Sequence, residues 1–148
     1  MAIFSAIDLN TKARHMGGHG NAVVVHGSVT PTAGASGDVY KPVRVPAGVY
    51  VTDVDIVNDD LDTSGTPLIA CKIGYEPVNP ADGPTADDDY FVAAGSTILR
   101  SAARTSLNFQ PIKFEKDVFL TVTLSTAAAT FASGKVTAIV KGDGEGVK

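Results

Sequence analysis

Val39-Tyr40-Lys41-Pro42-Val43-Arg44-Val45-Pro46-Ala47-Gly48-Val49-Tyr50-Val51-Thr52-Asp53-Val54-Asp55-Ile56-Val57 reads as two β-branched runs joined by a turn. Val39–Val45 and Val49–Val57 have the composition of strands. In Pro46-Ala47-Gly48 the proline sets φ for a turn and the glycine supplies a positive φ. The second run alternates. Tyr50, Thr52, Val54 and Ile56 are expected on one side, with Val51, Asp53, Asp55 and Val57 on the other, which makes a half-buried strand with one wet face.

The same pattern extends outward from this hairpin. Six further runs share it: 21–26, 68–75, 90–93, 107–114, 118–124 and 135–141. Val118, Leu120, Val122 and Leu124 alternate with Phe119, Thr121 and Thr123. The run from Leu68 is apolar on both faces, as a central or doubly covered strand would be. Asn58 to Pro67 is a polar loop, and Asp82-Gly83-Pro84 and Asp143-Gly144 are turn signals. One helix is expected over Ala93–Arg104, where Ala94, Ile98 and Ala102 follow an i, i+4 spacing. Ser125–Ser133 reads as a hairpin connection, with one helical turn at Ala127-Ala128-Ala129 as the alternative. The runs therefore point to an all-β fold, an antiparallel sandwich or barrel of about eight strands with at most one short helix.

Three segments are expected. Residues 1–20 form an N-terminal arm that carries Ile3, Phe4, Ile7 and Leu9 and ends in Gly17-Gly18-His19-Gly20, a hinge composition. Residues 21–141 form the sandwich. Residues 142–148 form a tail too rich in glycine to pack unless a partner holds it.

Composition narrows the function. The 148 residues carry 12 Lys+Arg against 16 Asp+Glu, a net charge of -4, which argues against a nucleic-acid partner. No run approaches the ~20 apolar residues of a membrane span, and the N-terminus has no basic region before its apolar residues. Folding in a cytoplasm is expected. Cys71 is the only cysteine, so neither an internal disulfide nor a cysteine zinc site can be built. It is read as a small buried hydrophobe rather than a nucleophile.

Other candidate chemistry does not converge. His15 and His19 are four apart, yet the glycines between and after them oppose a helix, and no further ligands complete a metal set. Asp53, Asp55, Asp59, Asp60 and Asp62, and likewise Asp87-Asp88-Asp89, are oxygen-rich but lack a calcium-loop spacing. They are read as turns whose carboxylates accept backbone N–H groups. Neither a nucleophile elbow nor a phosphate loop is present. No catalytic residue, cofactor or metal is expected, and the chain is read as not an enzyme.

Gly37 to Asp62, with its strand, Pro-Ala-Gly, strand and Asn-Asp-Asp-Leu-Asp succession, continues through Gly65-Thr66-Pro67 to Tyr75. This stretch, with Asp88-Asp89-Tyr90-Phe91-Val92-Ala93-Ala94 and the closing 121–123 and 136–140 strands, resembles the capsid decoration (cement) proteins of tailed bacteriophages. The jelly-roll type of short-tailed phages, such as those infecting Bordetella, is the nearest parallel. The resemblance covers roughly residues 20–141 as a pattern and supplies no chemical motif. It implies a jelly-roll-like antiparallel β-sandwich and a structural virion protein on the outside of a capsid, bound to the major capsid protein and stabilising contacts between its subunits, as a homodimer or other homo-oligomer. A carbohydrate- or receptor-binding jelly roll on the virion is the alternative. The candidate partner interface comprises Ile3, Phe4, Ile7, Leu9 and Arg14 in the arm, Arg100 and Arg104 on one face of the expected helix, and Phe119. Phe119, Ile69 and Ile73 are apolar positions that either a second copy or ordinary two-sided packing would cover.

Overall fold

The period-two runs become ten strands in the computed structural model, which describes residues 1–5 and 21–147. One five-stranded sheet has the order β1 (Ile3–Ser5), β3 (Val39–Val45), β9 (Val118–Thr126), β5 (Ala70–Pro77) and β6 (Asp87–Ser96). The other has β2 (Ala22–Val29), β10 (Val136–Gly144) and β4 (Val49–Asn58), and the far edge of β4 is shared by β7 (Ala103–Ser106) and β8 (Ile112–Phe114). Every pairing is antiparallel except β1 with β3. The all-β sandwich expected from the runs is thus present, with two strands beyond the eight: β1, from the arm, and β7.

The core lies between the sheets. Tyr40, Leu120, Leu124, Ile73, Val54 and Ile56 are almost wholly buried there. Alternation on β9 runs as read, with Val118, Leu120, Val122 and Leu124 facing inward. On β4 it does not. Lys141 pairs with Asp53 but Gly142 pairs with Val51, so Thr52 is an extra residue in the ladder. A bulge of this kind resets the pleat. Val49 and Val51 therefore point inward together with Val54 and Ile56, while Thr52 is exposed and Tyr50 is half-buried. Gly142 makes room for it, since a Cβ there would lie 2.2 Å from the Tyr50 carbonyl oxygen.

The helix expected over Ala93–Arg104 is not formed. Ala93–Ser96 ends β6, Ile98–Arg100 is a single 3₁₀ turn, and Ala103–Ser106 is β7. Gly95 sits at φ +97°, outside helical backbone, and Thr97 provides no side-chain cap. Of the spaced apolar residues, Ala94 and Ala102 are exposed, so no apolar stripe existed to bury. The run at 107–114 shortens to Ile112–Phe114. Ser125–Ser133 is the connection, without a helical turn.

Both ends of the described chain engage the body. Phe4 packs edge-on against Tyr40, with ring centroids 5.8 Å apart, so this residue of the arm joins the sandwich. It does so because β3 would otherwise end the sheet with unpaired backbone groups. At the other end β10 runs on to Gly144, and the N–H groups of Glu145 and Gly146 donate to the Gly48 carbonyl at 2.8 and 3.1 Å. The glycine-rich end thus bonds to the chain's own β3–β4 turn.

Candidate interaction surface

The residues proposed for partner contact scatter over the molecule. Ile3 is 52% exposed on the edge strand, while Phe4 is turned onto Tyr40. Ile7, Leu9 and Arg14, with His15 and His19, lie outside the described residues. Arg100 and Arg104 do not form one helical face, because there is no helix. The Arg100 guanidinium donates through Nε to the Ile69 carbonyl (2.9 Å) and through Nη2 to that of Leu68 (3.2 Å), tying the 3₁₀ turn to the start of β5. Arg104 stands on β7 and pairs with Asp55 on β4 at 2.6 Å.

Phe119 lies on the face of β9 directed away from the inter-sheet core, yet it is only 9% exposed. Its neighbours across the ladder are Arg44 and Glu76, and the Lys41 ammonium sits 5.5 Å from the ring centroid. Lys41 also pairs with Glu76, and Arg44 with Asp117. A layer of long charged side chains therefore covers the ring, with their aliphatic stems on the apolar surface. Ile69 and Ile73 are fully buried as well. These three apolar residues are covered within one chain, so they do not require a second copy.

The outer face of the second sheet carries a charged seam. Asp55 accepts from Arg104, from Lys141 Nζ (2.9 Å) and from the Ser106 hydroxyl, and Lys141 reaches Asp53 at 2.6 Å. The Ser106, Arg104 and Lys141 hydrogen bonds, in that order, hold the Asp55 carboxyl well below the usual carboxylate range, against burial that would raise it. The same contacts raise Lys141 and Arg104.

The acidic loop has a different role from the one its charge suggests. Asp62 is 1% exposed, and its carboxylate accepts from the backbone N–H groups of Leu68 (2.7 Å), Ile69 (3.0 Å), Ala129 (2.9 Å) and Thr130 (2.8 Å). Burial alone would raise this carboxyl. The four N–H groups outweigh it and hold the group far below the ordinary range. Asp59 accepts the Lys135 N–H at 2.7 Å, and Asp60 accepts that of Asp62 at 3.0 Å. These oxygens are spent on backbone donors, as the turn reading anticipated, but two of the segments they join are sixty or more residues distant. No spacing in the sequence reveals that. Among the described residues no group of three or more His, Cys, Asp or Glu is arranged to hold a metal ion.

Cys71 faces the core from β5 and is fully buried. Burial pushes its thiol up to about 12, against a smaller lowering by a hydrogen bond from Ser96. At pH 8 the reactive thiolate is then on the order of 10⁻⁴ of the population. The folded protein is expected to resist a thiol-specific disulfide reagent at pH 8 and to react at one equivalent once urea unfolds it. Prompt labelling of native protein would contradict the buried assignment.

Open grooves indent the surface formed by the described residues, two of them well defined. One, of about 460 Å³, lies between the Asp82-Gly83-Pro84 turn and Ile112–Lys116. Its Lys116 is paired with Asp82 at 2.8 Å. The other, of about 600 Å³, crosses the outer face of the first sheet past Thr121, Thr123, Glu76 and Asp88. The last two are paired with Lys41 and Lys72. Each groove is shallow, and neither brings together a nucleophile, a base and an oxyanion donor.

The architecture so defined is an all-β, two-sheet sandwich with charged, mixed outer faces. No family model matches the chain, and no curated protein matches it. Solved structures of the same fold exist. A chain in the capsid of Ralstonia phage GP4 superposes with a TM-score of 0.77 at 17% identity, over 97% of this chain and 99% of that one. A chain of the cyanophage Pam1 capsid asymmetric unit gives 0.66 at 24% identity, over 89% and 91%. A chain in the acid-stable capsid of the Helicobacter pylori bacteriophage KHP30 gives 0.52 at 16% identity, over 83% and 87%. At these identities the likeness is one of fold.

Proposed function

We propose that this chain is a structural protein of a bacteriophage virion that binds the outside of the capsid and cements neighbouring major capsid protein subunits. The observation that carries the proposal is the end-to-end likeness to a capsid chain of nearly the same extent, 97% of one chain on 99% of the other. A shared sandwich core alone is weak support for a shared role. Agreement over nearly the whole of both chains is stronger support, because the parts outside a shared core vary most between proteins that share only that core.

The physics of such a role needs contact area and stiffness. A sandwich with a continuous core gives a rigid body, and many copies on a symmetric lattice turn a modest pairwise affinity into high avidity. Ile3 is exposed and Arg104 keeps 57% of its side chain open while paired, so both are suited to touch a partner. Ile7, Leu9 and Arg14, outside the described residues, belong to the same proposal as partner-contact residues. Arg100, Phe4 and Phe119 support it from within, through the contacts described above. Recruitment as a homo-oligomer belongs to the same proposal.

The test is to add the purified protein to capsids lacking it and follow binding by electron microscopy and capsid disruption by a heat ramp. Saturable decoration at lattice positions and a higher disruption temperature are expected. Capsids that stay bare, or that are decorated yet equally fragile, would rule out cementing.

A further inference from the structure

The edge of β3 is built to receive an N-terminal strand. Asp38, 2% exposed, takes the Ala35 N–H on one carboxylate oxygen (2.9 Å) and the Ala2 N–H on the other (2.7 Å). The Val39 N–H donates to the Ala2 carbonyl at 2.9 Å. Ile3, Phe4 and Ser5 then run parallel to Val39, Tyr40 and Lys41, and the Phe4 ring closes over Tyr40, which is fully buried. Main-chain bonds set the register, and one aromatic pocket identifies the incoming segment, as in peptide recognition by strand addition.

We infer that this edge is an exchange site, filled in the assembled protein by residues 1–5 of a second copy of the chain. Three features support this. First, β1 pairs with β3 alone, so every main-chain contact it makes can be reproduced by the same five residues from a neighbour at no loss of bonding. Second, no hairpin joins β1 to its ladder partner, which is the non-consecutive β3. β1 is parallel to its partner, and the chain that follows leads to β2 in the opposite sheet. Third, the reach is sufficient. The sixteen steps from Ser5 to Asn21 span up to roughly 50 Å when extended. A domain of this length is about 38 Å across. A strand followed by that length of chain can reach the β3 edge of an adjoining copy. Reciprocal or head-to-tail exchange links copies without adding any new surface, and it needs only neighbouring copies, not a capsid.

Two single-cysteine additions separate exchange from self-pairing. Ile3→Cys in one full-length chain and Val39→Cys in another, distinguished by a C-terminal tag, are co-expressed and oxidised. Ile3 and Val39 are register partners, and the native Cys71 is buried away from them. A disulfide-linked heterodimer is expected as the main product, with mass spectrometry identifying a peptide pair joined through the two substituted positions. The double variant I3C/V39C made in a single chain should give covalent dimers or longer chains on a non-reducing gel. Closure of that double variant within one monomer, with no heterodimer from the mixture, would overturn the inference, as would the absence of any cross-link. None of these outcomes depends on capsid binding, so they stand apart from the test of the cement role.

Discussion

Asp62→Ala is expected to lower the thermal midpoint by on the order of 10 °C, with little change in the far-ultraviolet signature of the folded state. The single carboxylate joins three chain segments: its own loop, the entry to β5 at Leu68 and Ile69, and the β9–β10 connection at Ala129 and Thr130. Removing it leaves those four amide donors, and the more distant Ser64 N–H of its own loop at 3.4 Å, without their acceptor in a site that water does not freely enter. The pH dependence follows from the depressed carboxyl. In the unfolded chain the group titrates near 4, and in the folded chain well below that. Its contribution is therefore complete above the unfolded value and is lost as the pH falls through the folded one. The gap in melting temperature between wild type and Asp62→Ala should be widest near neutrality and close progressively as the pH drops below about 4. A gap that persists unchanged in acid would mean that the carboxylate charge is not what holds the loops.

Gly74→Val should be as damaging as a large truncation in the core, costing on the order of 3 kcal/mol or more. Tyr75 pairs with Asp87 and Ile73 with Val92, so five steps of β6 face two of β5, and the excess chain arches over Gly74. A Cβ at Gly74 would sit 2.0 Å from the Asp87 carbonyl oxygen and 2.6 Å from the Asp88 Cα. Those are backbone atoms, which cannot swing aside as the tip of a long side chain can. The arch must lift, and with it Phe91, which is 4% exposed in the core, and its edge-on contacts with Tyr75 and Phe109. Urea titration compares the two proteins, and a midpoint within error of wild type would show that the arch is not packed on Gly74. At Gly65, where nothing lies within 4 Å of the added atom, the same exchange should be tolerated.

The Gly74 arch and the Thr52 bulge also mark where local sequence reading loses its grip. Alternation assigns faces correctly only while the ladder stays in register. One additional residue at Thr52 moves Tyr50 off the core side and Val51 onto it. The expected helix at Ala93–Arg104 failed for a related reason. Its i, i+4 alanines fit a helix by spacing, but their small side chains bring almost no apolar area to bury, and pairing of Ala103–Ser106 with β4 satisfies the backbone instead. Phe119 was legible as a residue on the outward face, but not its cover. Lys41, Arg44 and Glu76 reach it from two other strands.

The candidate surface was less legible than the fold. Arg100 and Arg104, neighbours on a helical wheel, in fact serve two separate internal contacts. Asp62 carried no mark to set it apart from the aspartates around it. The chemistry of an aspartate in a polar loop is the same whether water or a buried amide meets it, and only chain positions far apart in sequence decide which does.

By itself the sequence determined that this chain forms β-strands around an apolar core, because period-two burial and turn chemistry are local properties of a few residues at a time. Only the tertiary structure decided which strands pair, where the pleat is interrupted, and which carboxylates stop bearing exposed charge. Those outcomes depend on groups brought together from distant parts of the chain, and no run of neighbouring residues encodes such a meeting.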